Sequence, residues 1–371
     1  MRTVLITPSL AVGGAEYSLA KTAGALHACV ERLDIIVLAD VRPAVHAQLP
    51  PGVRLHVLKG TSVANPLLWL KVRRILRRLK PDILVGWSTH ANLVAVIASR
   101  RLSIARVIVS ERNYVPRMYA KSQVGPVLRQ TVLLLIRRLY RLADVVTANS
   151  QMSLRFLRQY VGKGPVYAVL PNLIDSELVH DYARLPPEIP PDPVRGPKIL
   201  ALGRLDRQKG FDLLLEALAL VRRTHPWSVV LAGDGPERSR LEHLAHRLGI
   251  GSAIQWVGPV KNPFPYYRWA DLVVLPSRFE GFPNVALEAM GCGRTVICAE
   301  CKSGPRELTR GGRYGVLVPP NDVKRLAEEI IAWGLNPSAR GAMGESAAQH
   351  VRNSYGIGRL RSRYLRTLCM S

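Results

Sequence analysis

A chain of 371 residues with 48% hydrophobic side chains is too long for one ordinary core and apolar enough to bury two. Its formal net charge of +25 asks for an acidic partner, nucleic acid or an anionic membrane surface; Lys and Arg outnumber Asp and Glu by 26 to 11 over residues 1–190 and by 26 to 16 over 191–371. No apolar run reaches the ~18 residues of a membrane span, and five cysteines, an odd number, point to a reducing compartment, the cytoplasm.

The opening stretch, MRTVLITPSLAVGGAE, lacks a small-residue cleavage site and reads as a first strand and its loop. Arg2 to Thr7 forms the strand, Pro8 to Gly14 the loop, and a helix follows from Ala15 with Glu16 in its first turn, where the macrodipole favours an acid. Gly13 and Gly14 let the backbone approach a ligand, although G-x-G-x-x-G is absent. Apolar runs at Leu33–Leu38, Arg54–Val57, Asp82–Gly86 and Arg106–Val109 alternate with helical patterns, which predicts a parallel, doubly wound α/β sheet. Ligands of such sheets bind outside the carboxyl ends of strands. Two motifs fall there, Trp87-Ser88-Thr89-His90 and Ser110-Glu111-Arg112-Asn113. His90, at the start of a helix over Ala91–Ser99, either faces the crevice or is a capping or core histidine. Glu111 either meets a ligand or pairs with Arg112 in the loop.

Two helices carry much of the basic excess. Pro66–Lys80 turns Leu68, Val72, Ile75 or Leu76, and Leu79 inward and leaves Lys71, Arg73, Arg74, Arg77, Arg78 and Lys80 outside. Pro126–Leu142 turns Leu128, Val132, Leu135, Leu139 and Leu142 inward, with Leu133, Leu134, Arg129, Arg137, Arg138 and Arg141 elsewhere. Apolar residues framed by arginines, with hardly an acid to balance them, fit a peripheral membrane face: Arg74, Arg78, Leu133, Leu134, Arg137, Arg138 and Arg141. A simply solvated charged face is the plainer alternative.

Prolines crowd Leu185–Pro197 and forbid both helix and inner strand, so the domain boundary is placed at 190/191, with a second domain over 191–351. A second alternating unit begins with the strand Lys198–Leu202. Its loop, Gly203-Arg204-Leu205-Asp206-Arg207-Gln208-Lys209-Gly210, offers a forked guanidinium and a point-charge ammonium, a grip for phosphate. Strands follow at Val229–Asp234, Ile254–Gly258 and Leu272–Leu275. The loop Arg278–Phe282 then enters a helix with Pro283 in its first turn, where a missing N–H costs nothing. The amides of Asn284 and Val285 open that helix, flanked by Glu280 before it and Glu288 within it. A carboxylate on each side of an anion site suits a diphosphate with a polyol at either end, since a carboxylate accepts two hydrogen bonds from a vicinal diol. A nucleotide sugar has that layout; a solvated helix with two incidental acids is the plain alternative. A C-x-x-C at Cys298 and Cys301 has no second pair and no neighbouring histidine, which favours core thiols over zinc. The strand Thr295–Ile297, the turn Gly304–Glu307, the strand Gly315–Val318 and helices over Asp322–Trp333 and Tyr355–Cys369 complete the chain.

The stretch Glu280-Gly281-Phe282-Pro283-Asn284-Val285, continuing to Glu288, resembles the Glu-x7-Glu donor signature of family 4 glycosyltransferases, retaining enzymes of the GT-B fold. Gly13-Gly14-Ala15-Glu16 is similar to the family's first loop, and Gly203-Arg204 with Lys209-Gly210 to its G-R-x-x-x-x-K-G element. The S-E-R-N stretch at 110–113 is similar to members that act on undecaprenyl-diphosphate-linked oligosaccharides. The resemblance implies two Rossmann-like domains facing across a cleft, an acceptor domain over 1–190 and a nucleotide-sugar domain over 191–351, with the last helix, about 352–371, returning to the first domain. It implies Arg204 and Lys209 on the donor diphosphate, Glu280 on the sugar, Glu288 on the ribose, and Gly13, Gly14, Gly281, Phe282, Pro283, Asn284 and Val285 lining the donor. His90 stands near the transferred sugar; Glu111, Arg112 and Asn113 are on the acceptor side.

Charge on the leaving diphosphate falls to Arg204, Lys209 and a helix N-terminus, since the sequence holds no Asp-x-Asp or His cluster for a metal. The expected activity is retaining transfer of a hexose or N-acetylhexosamine from a nucleotide sugar, UDP-linked, to a lipid-linked or polysaccharide-precursor acceptor. The place expected for it is the inner face of the cytoplasmic membrane, without metal or other cofactor. A GT-B sugar-nucleotide epimerase needs no acceptor and no membrane-facing helices, and a nucleic-acid-binding protein rests on charge alone, without aromatic-rich basic stretches.

Overall fold

The computed structural model describes residues 1–10, 14–41, 49–59, 65–116, 125–191, 196–222, 224–301 and 303–369. Gly13 and part of the proline-rich linker therefore lie outside the described residues. Strands β1 to β13 are Arg2–Thr7, Arg32–Val37, Arg54–Val57, Ile83–Trp87, Arg106–Glu111, Val145–Ala148, Val166–Val169, Lys198–Leu202, Ser228–Ala232, Ile254–Gly258, Leu272–Leu275, Thr295–Ala299 and Val316–Val318. The described α-helices, α1 to α14, are Gly14–His27, Pro66–Leu79, Thr89–Ser99, Pro126–Leu139, Gln151–Val161, Ser176–Arg184, Phe211–Arg222, Arg238–Arg247, Phe264–Trp269, Asn284–Gly291, Pro305–Leu308, Val323–Gly334, Pro337–Tyr355 and Ile357–Cys369. The chain divides into two compact units, Met1–Leu173 with Ile357–Ser371, and Ile174–Gly356.

The first unit is built on a parallel sheet in the order β3-β2-β1-β4-β5-β6-β7. β1, β2, β4 and β5 are buried almost throughout, which is why they read as continuous apolar runs rather than alternating ones. The weaker β7, half-exposed at the sheet edge, gives no such run. α3 packs against both α2 and α4. Its own residues are buried nearly all round, as a helix enclosed by sheet and helices must be. α2 buries Leu68, Val72, Leu76 and Leu79, the expected stripe. Asn65 caps it by accepting from the Leu67 N–H, and Lys80 closes it in the left-handed region with φ 47°.

α4 is rotated from the expected face. It buries Ile136 and rests Val132, Leu133 and Leu139 on the core, while Leu128, Leu135 and Leu142 are exposed. The inward stripe is thus 132, 133, 136, 139, 140. Tyr140, fully buried, decides it: its hydroxyl accepts from Asn92 and donates to Glu111, bonds unavailable to it on the solvent side. α14 packs on α1, and Tyr364 donates to the Pro171 carbonyl over 2.6 Å, so the last helix belongs to the first unit.

The second unit carries a parallel sheet in the order β10-β9-β8-β11-β12-β13. Phe211, Leu214, Leu215 and Leu218 of α7 pack with Leu326, Ala327 and Ile330 of α12 over β8, β9 and β11. The boundary lies at 173/174, not 190/191. The first half of the proline-rich stretch, with the helix before it, is bound to the second unit: Glu188 accepts from the amides of Lys261 and Asn262, Tyr266 bonds both backbone groups of Ile189, and Tyr182 stacks on Phe264. Those polar groups satisfy a loop that composition alone marks as a linker. The helix α13, rich in Ala and Gly with little amphipathic contrast, carries no clear sequence pattern and was not expected.

Candidate active site

In the second sheet the strand order turns back on itself between β8, which is followed by β9 on one side, and β11 on the other. That is a topological switch point, where the loops after neighbouring strands part and leave room for a ligand. The two loops there are the ones the sequence singles out, 203–210 after β8 and 276–283 after β11. They are laced together. The Arg278 N–H donates to the Gln208 carbonyl over 2.8 Å, and the Gln208 side chain returns a bond to the Phe279 carbonyl over 3.0 Å. Arg278 grips Asp212, at the start of α7, with two bonds of 2.8 Å. Gly210 has φ 68°, and a Cβ there would stand 2.3 Å from the Pro276 carbonyl oxygen, so only glycine lets the loops approach this closely.

This lacing brings Lys209 Nζ to Glu280 Oε1 at 2.7 Å, with Ser277 Oγ donating to the same oxygen over 2.7 Å. Ser303 donates to the Glu280 carbonyl, which fixes the backbone behind the carboxylate. Arg204, at the tip of the other loop, is exposed and turned by Asp206, whose carboxylate accepts from its Nε over 2.7 Å. α10 begins at Asn284 with Pro283 as its N-cap, a residue that makes no side-chain capping bond. Gly281, Asn284, Val285 and Glu288 are half-buried, Phe282 and Pro283 buried. Tyr267 donates to Glu288 Oε2 over 3.1 Å. Burial, and then the nearby Glu288 carboxylate, push the Tyr267 phenol well above the usual tyrosine value, so it stays a donor. Cys301 packs behind Ser277 and donates to its carbonyl over 3.2 Å; burial and the Glu280 charge push its thiol up to about 12. Cys298 and Cys301 are free thiols, both buried. The two laced loops thus carry Arg204 and Lys209 on one side and Glu280 on the other, and the second leads into α10, which holds Glu288.

In the first unit, Trp87 ends β4 and Glu111 ends β5. His90, in the first turn of α3, is reachable by solvent, yet its ring is crowded enough that desolvation holds it below the ordinary histidine value. Glu111 is fully buried, contrary to an acceptor-contacting place: Thr89 Oγ1 and Tyr140 OH donate to Oε2 at 2.7 and 3.0 Å, and the amides of Arg112 and Asn113 to Oε1 at 3.1 and 3.3 Å. Burial pushes its carboxyl up, and the four donors oppose that rise. It does not ion-pair with Arg112. The Arg112 guanidinium is buried over the Trp87 ring, 4.0 Å from its centroid, and donates to Leu170, Ser18, Asn172 and Tyr364. Those partners come from α1, the 170–172 loop and α14, which makes Arg112 a tie between elements and not a group open to an acceptor. Asn113 is half-buried.

The family model for Glycosyltransferase Family 4 matches residues 12–178, and that for Glycosyl transferases group 1 matches residues 196–334. This chain belongs to the family 4 glycosyltransferases. The transferase is 29% identical over 278 residues to the N-acetylgalactosamine-N,N'-diacetylbacillosaminyl-diphospho-undecaprenol 4-alpha-N-acetylgalactosaminyltransferase of Campylobacter jejuni, a match covering 72% of this chain and 73% of that one. It is 30% identical over 275 residues to an exopolysaccharide phosphotransferase of Streptomyces coelicolor, covering 73% of this chain and 27% of that longer one. Its fold is GT-B, matching the Anabaena protein HepE solved with UDP and glucose at a TM-score of 0.81 and 22% identity over 99% of both chains.

Several residues of the candidate site escape sequence reasoning. Ser277, Ser303 and Tyr267 carry no motif of their own; Ser277, three residues before Glu280, is the one whose spacing hints at its bond. In the first unit Asn92 and Tyr140 join Glu111 from α3 and the turn after α4. Of the basic-helix residues, Arg74, Arg78, Leu134, Arg137, Arg138 and Arg141 are exposed, whereas Leu133 packs on the core and offers little to a surface. No described helix is long and apolar enough to cross a membrane.

Proposed function

We propose that this glycosyltransferase moves a hexose or N-acetylhexosamine from a UDP-sugar, with retention, to a lipid-linked or polysaccharide-precursor acceptor. The observation that carries the reading is the Lys209–Glu280 pair at the switch point, which joins the loop that also holds Arg204 to the loop that leads into α10. Arg204, Lys209 and the α10 amides take the diphosphate and the charge that develops on it as the sugar leaves, so that no metal or other cofactor is required. Glu280 holds the sugar hydroxyls and Glu288, aimed by Tyr267, the ribose, with the 281–285 backbone lining the donor. His90 acts on the transferred sugar, and Asn113 keeps the acceptor-side place. Glu280 grips; the acceptor hydroxyl attacks from the face that the diphosphate leaves. A UDP and glucose complex in the Anabaena protein supports the donor class, and the lipid-diphosphate acceptor named for the Campylobacter relative supports the acceptor class.

The exposed arginines and leucines of α4, with Arg74 and Arg78 of α2, form the peripheral face toward an anionic membrane on the cytoplasmic side. The test is a panel of UDP- and GDP-sugars with a polyprenyl-diphosphate oligosaccharide, in the presence of EDTA. Acceptor-dependent release of UDP and an α-linked product from an α-linked donor are expected. An inverted product, release that demands a divalent ion, or epimerised sugar nucleotide without acceptor overturns the proposal.

A further inference from the structure

Ser88, the N-cap of α3, has φ 76° and ψ 158° and no side-chain capping bond. A serine held in that region needs surroundings that over-determine it. They are present. The Ser88 N–H donates to the Ser110 carbonyl over 2.9 Å, and the Ser88 carbonyl accepts from Asn92 N over 2.9 Å. A Cβ on Gly86 would stand 2.6 Å from Asn92 Cα, so β4 and the first turn of α3 are in direct contact.

Behind the turn runs a closed ring of bonds. Asn92 Oδ1 accepts from Ser110 N over 3.0 Å, Asn92 Nδ2 donates to Tyr140 OH over 2.8 Å, Tyr140 OH donates to Glu111 Oε2 over 3.0 Å, and Thr89 Oγ1 donates to that oxygen over 2.7 Å. Thr89, Asn92, Glu111 and Tyr140 are each at most 1% exposed. A well-packed apolar set would satisfy the fold at least as well as a buried carboxylate. A polar network in which every contact is met instead fixes one geometry. What the ring grips is the pair Thr89 and Asn92, on either side of His90, the exposed member of that turn.

We propose that Glu111 is a positioning residue for His90: through Thr89 directly and Asn92 by way of Tyr140, it sets the strained turn that presents the imidazole. The proposal rests on the reading of His90 as a group acting on the transferred sugar. Small displacements of such a group lower the rate rather than the donor affinity.

The experiment compares Glu111→Gln, Tyr140→Phe, Thr89→Val, His90→Asn and the double variant Glu111→Gln/His90→Asn. For each it reads kcat, donor KM, Tm and, where His90 is present, the His90 imidazole 1H–15N resonances. Expected are a shift of those resonances in all three ring variants and a fall in kcat of about 10- to 100-fold, with donor KM within about twofold. The double variant falls little below His90→Asn. Unmoved His90 resonances in folded Tyr140→Phe and Thr89→Val, or a double variant whose losses multiply, overturn it. If Glu111→Gln fails to fold, Tyr140→Phe and Thr89→Val, each removing one bond, decide. A fully active His90→Asn sinks the reading of His90 instead, and the imidazole spectra still show whether Glu111 sets its place.

Discussion

Lys209 Nζ lies 2.7 Å from Glu280 Oε1, and the two side chains, 21% and 7% exposed, join the loops that follow two neighbouring strands. The cation is thereby held at the proposed diphosphate site and the carboxylate beside it, each fixing the other. Lys209→Met and Glu280→Gln should each lower kcat/KM by about 10² to 10³, the loss typical of one preorganised charge-stabilising group. Because the pair acts as a unit, the double variant should lose much less than the product of the two. Steady-state kinetics on the four proteins of the cycle measure this; strictly multiplicative losses would show the two to be independent.

Tyr267 meets Glu288 from α9, a helix with no donor motif of its own. Tyr267→Phe keeps the ring, fully buried, and removes one bond to a carboxylate, worth about 1 to 3 kcal/mol. If Glu288 holds the ribose, the variant raises KM for the nucleotide sugar and Kd for UDP about 5- to 100-fold while kcat changes little. Calorimetric titration with UDP reads the affinity directly. An unchanged Kd would mean that Glu288 needs no aiming.

The segments that carry Arg204, Lys209, Glu280 and Glu288 were legible because they are backbone events: an apolar strand, a glycine-bounded loop and a helix start, each with a local signature. What the motif hides is long-range. Ser303 reaches the Glu280 carbonyl from a later loop, and Tyr267 reaches Glu288 across 21 residues of chain. The first five strands of the first unit were readable in the same way, but the short β6, although buried throughout, the half-exposed β7 and the rotation of α4 were not. Its leucines fit two stripes, and Tyr140, by bonding Asn92 and Glu111, chooses between them. In the same way prolines marked 185–197 as a linker, and Glu188, by capping the amides of Lys261 and Asn262, binds its first half to the second unit. Glu111 and Arg112 sit in a motif at a strand end, where side chains often meet ligands; burial turned both inward.

Arg278 and Asp212 give the same loops a pH dependence. Burial raises the Asp212 carboxyl, but the two Arg278 bonds, the Arg278 charge and the Leu213 amide outweigh it, so the folded value lies below the ordinary one. A depressed folded value means that the unfolded chain binds the proton first. The stabilisation is therefore fully present above the ordinary carboxylate range, ~3.9, and is lost as pH falls through the folded value. The difference in unfolding free energy between the wild type and Asp212→Asn should be flat from neutral pH to about 5 and shrink below about 4. Urea unfolding at stepped pH reads it, and a difference that persists unchanged at pH 3 would refute the assignment.

The proposed membrane face makes the last prediction sharper than a count of arginines. On α4, Val127, Leu128, Leu134 and Leu135 are exposed between Arg129, Arg137 and Arg138, and the helix holds no acid. Arg141 is also exposed, but its Nε donates to the Val161 carbonyl, so reversing it disturbs the start of the Gly162 turn as well as the charge. Arg137→Glu with Arg138→Glu is the cleaner probe. At about 1 kcal/mol per basic residue near an anionic surface, that pair should weaken binding to vesicles of 30% phosphatidylglycerol by more than about tenfold. Raising the salt should do the same, since exposed charges are screened beyond ~8 Å at 0.15 M. Leu128→Glu with Leu134→Glu should weaken binding further without lowering Tm, because neither leucine is buried. Donor hydrolysis in the absence of vesicles should be unchanged in both double variants. Cosedimentation that is equal for wild type and both pairs of substitutions would remove α4 as the anchor and leave the basic excess of α2 to account for any binding that remains.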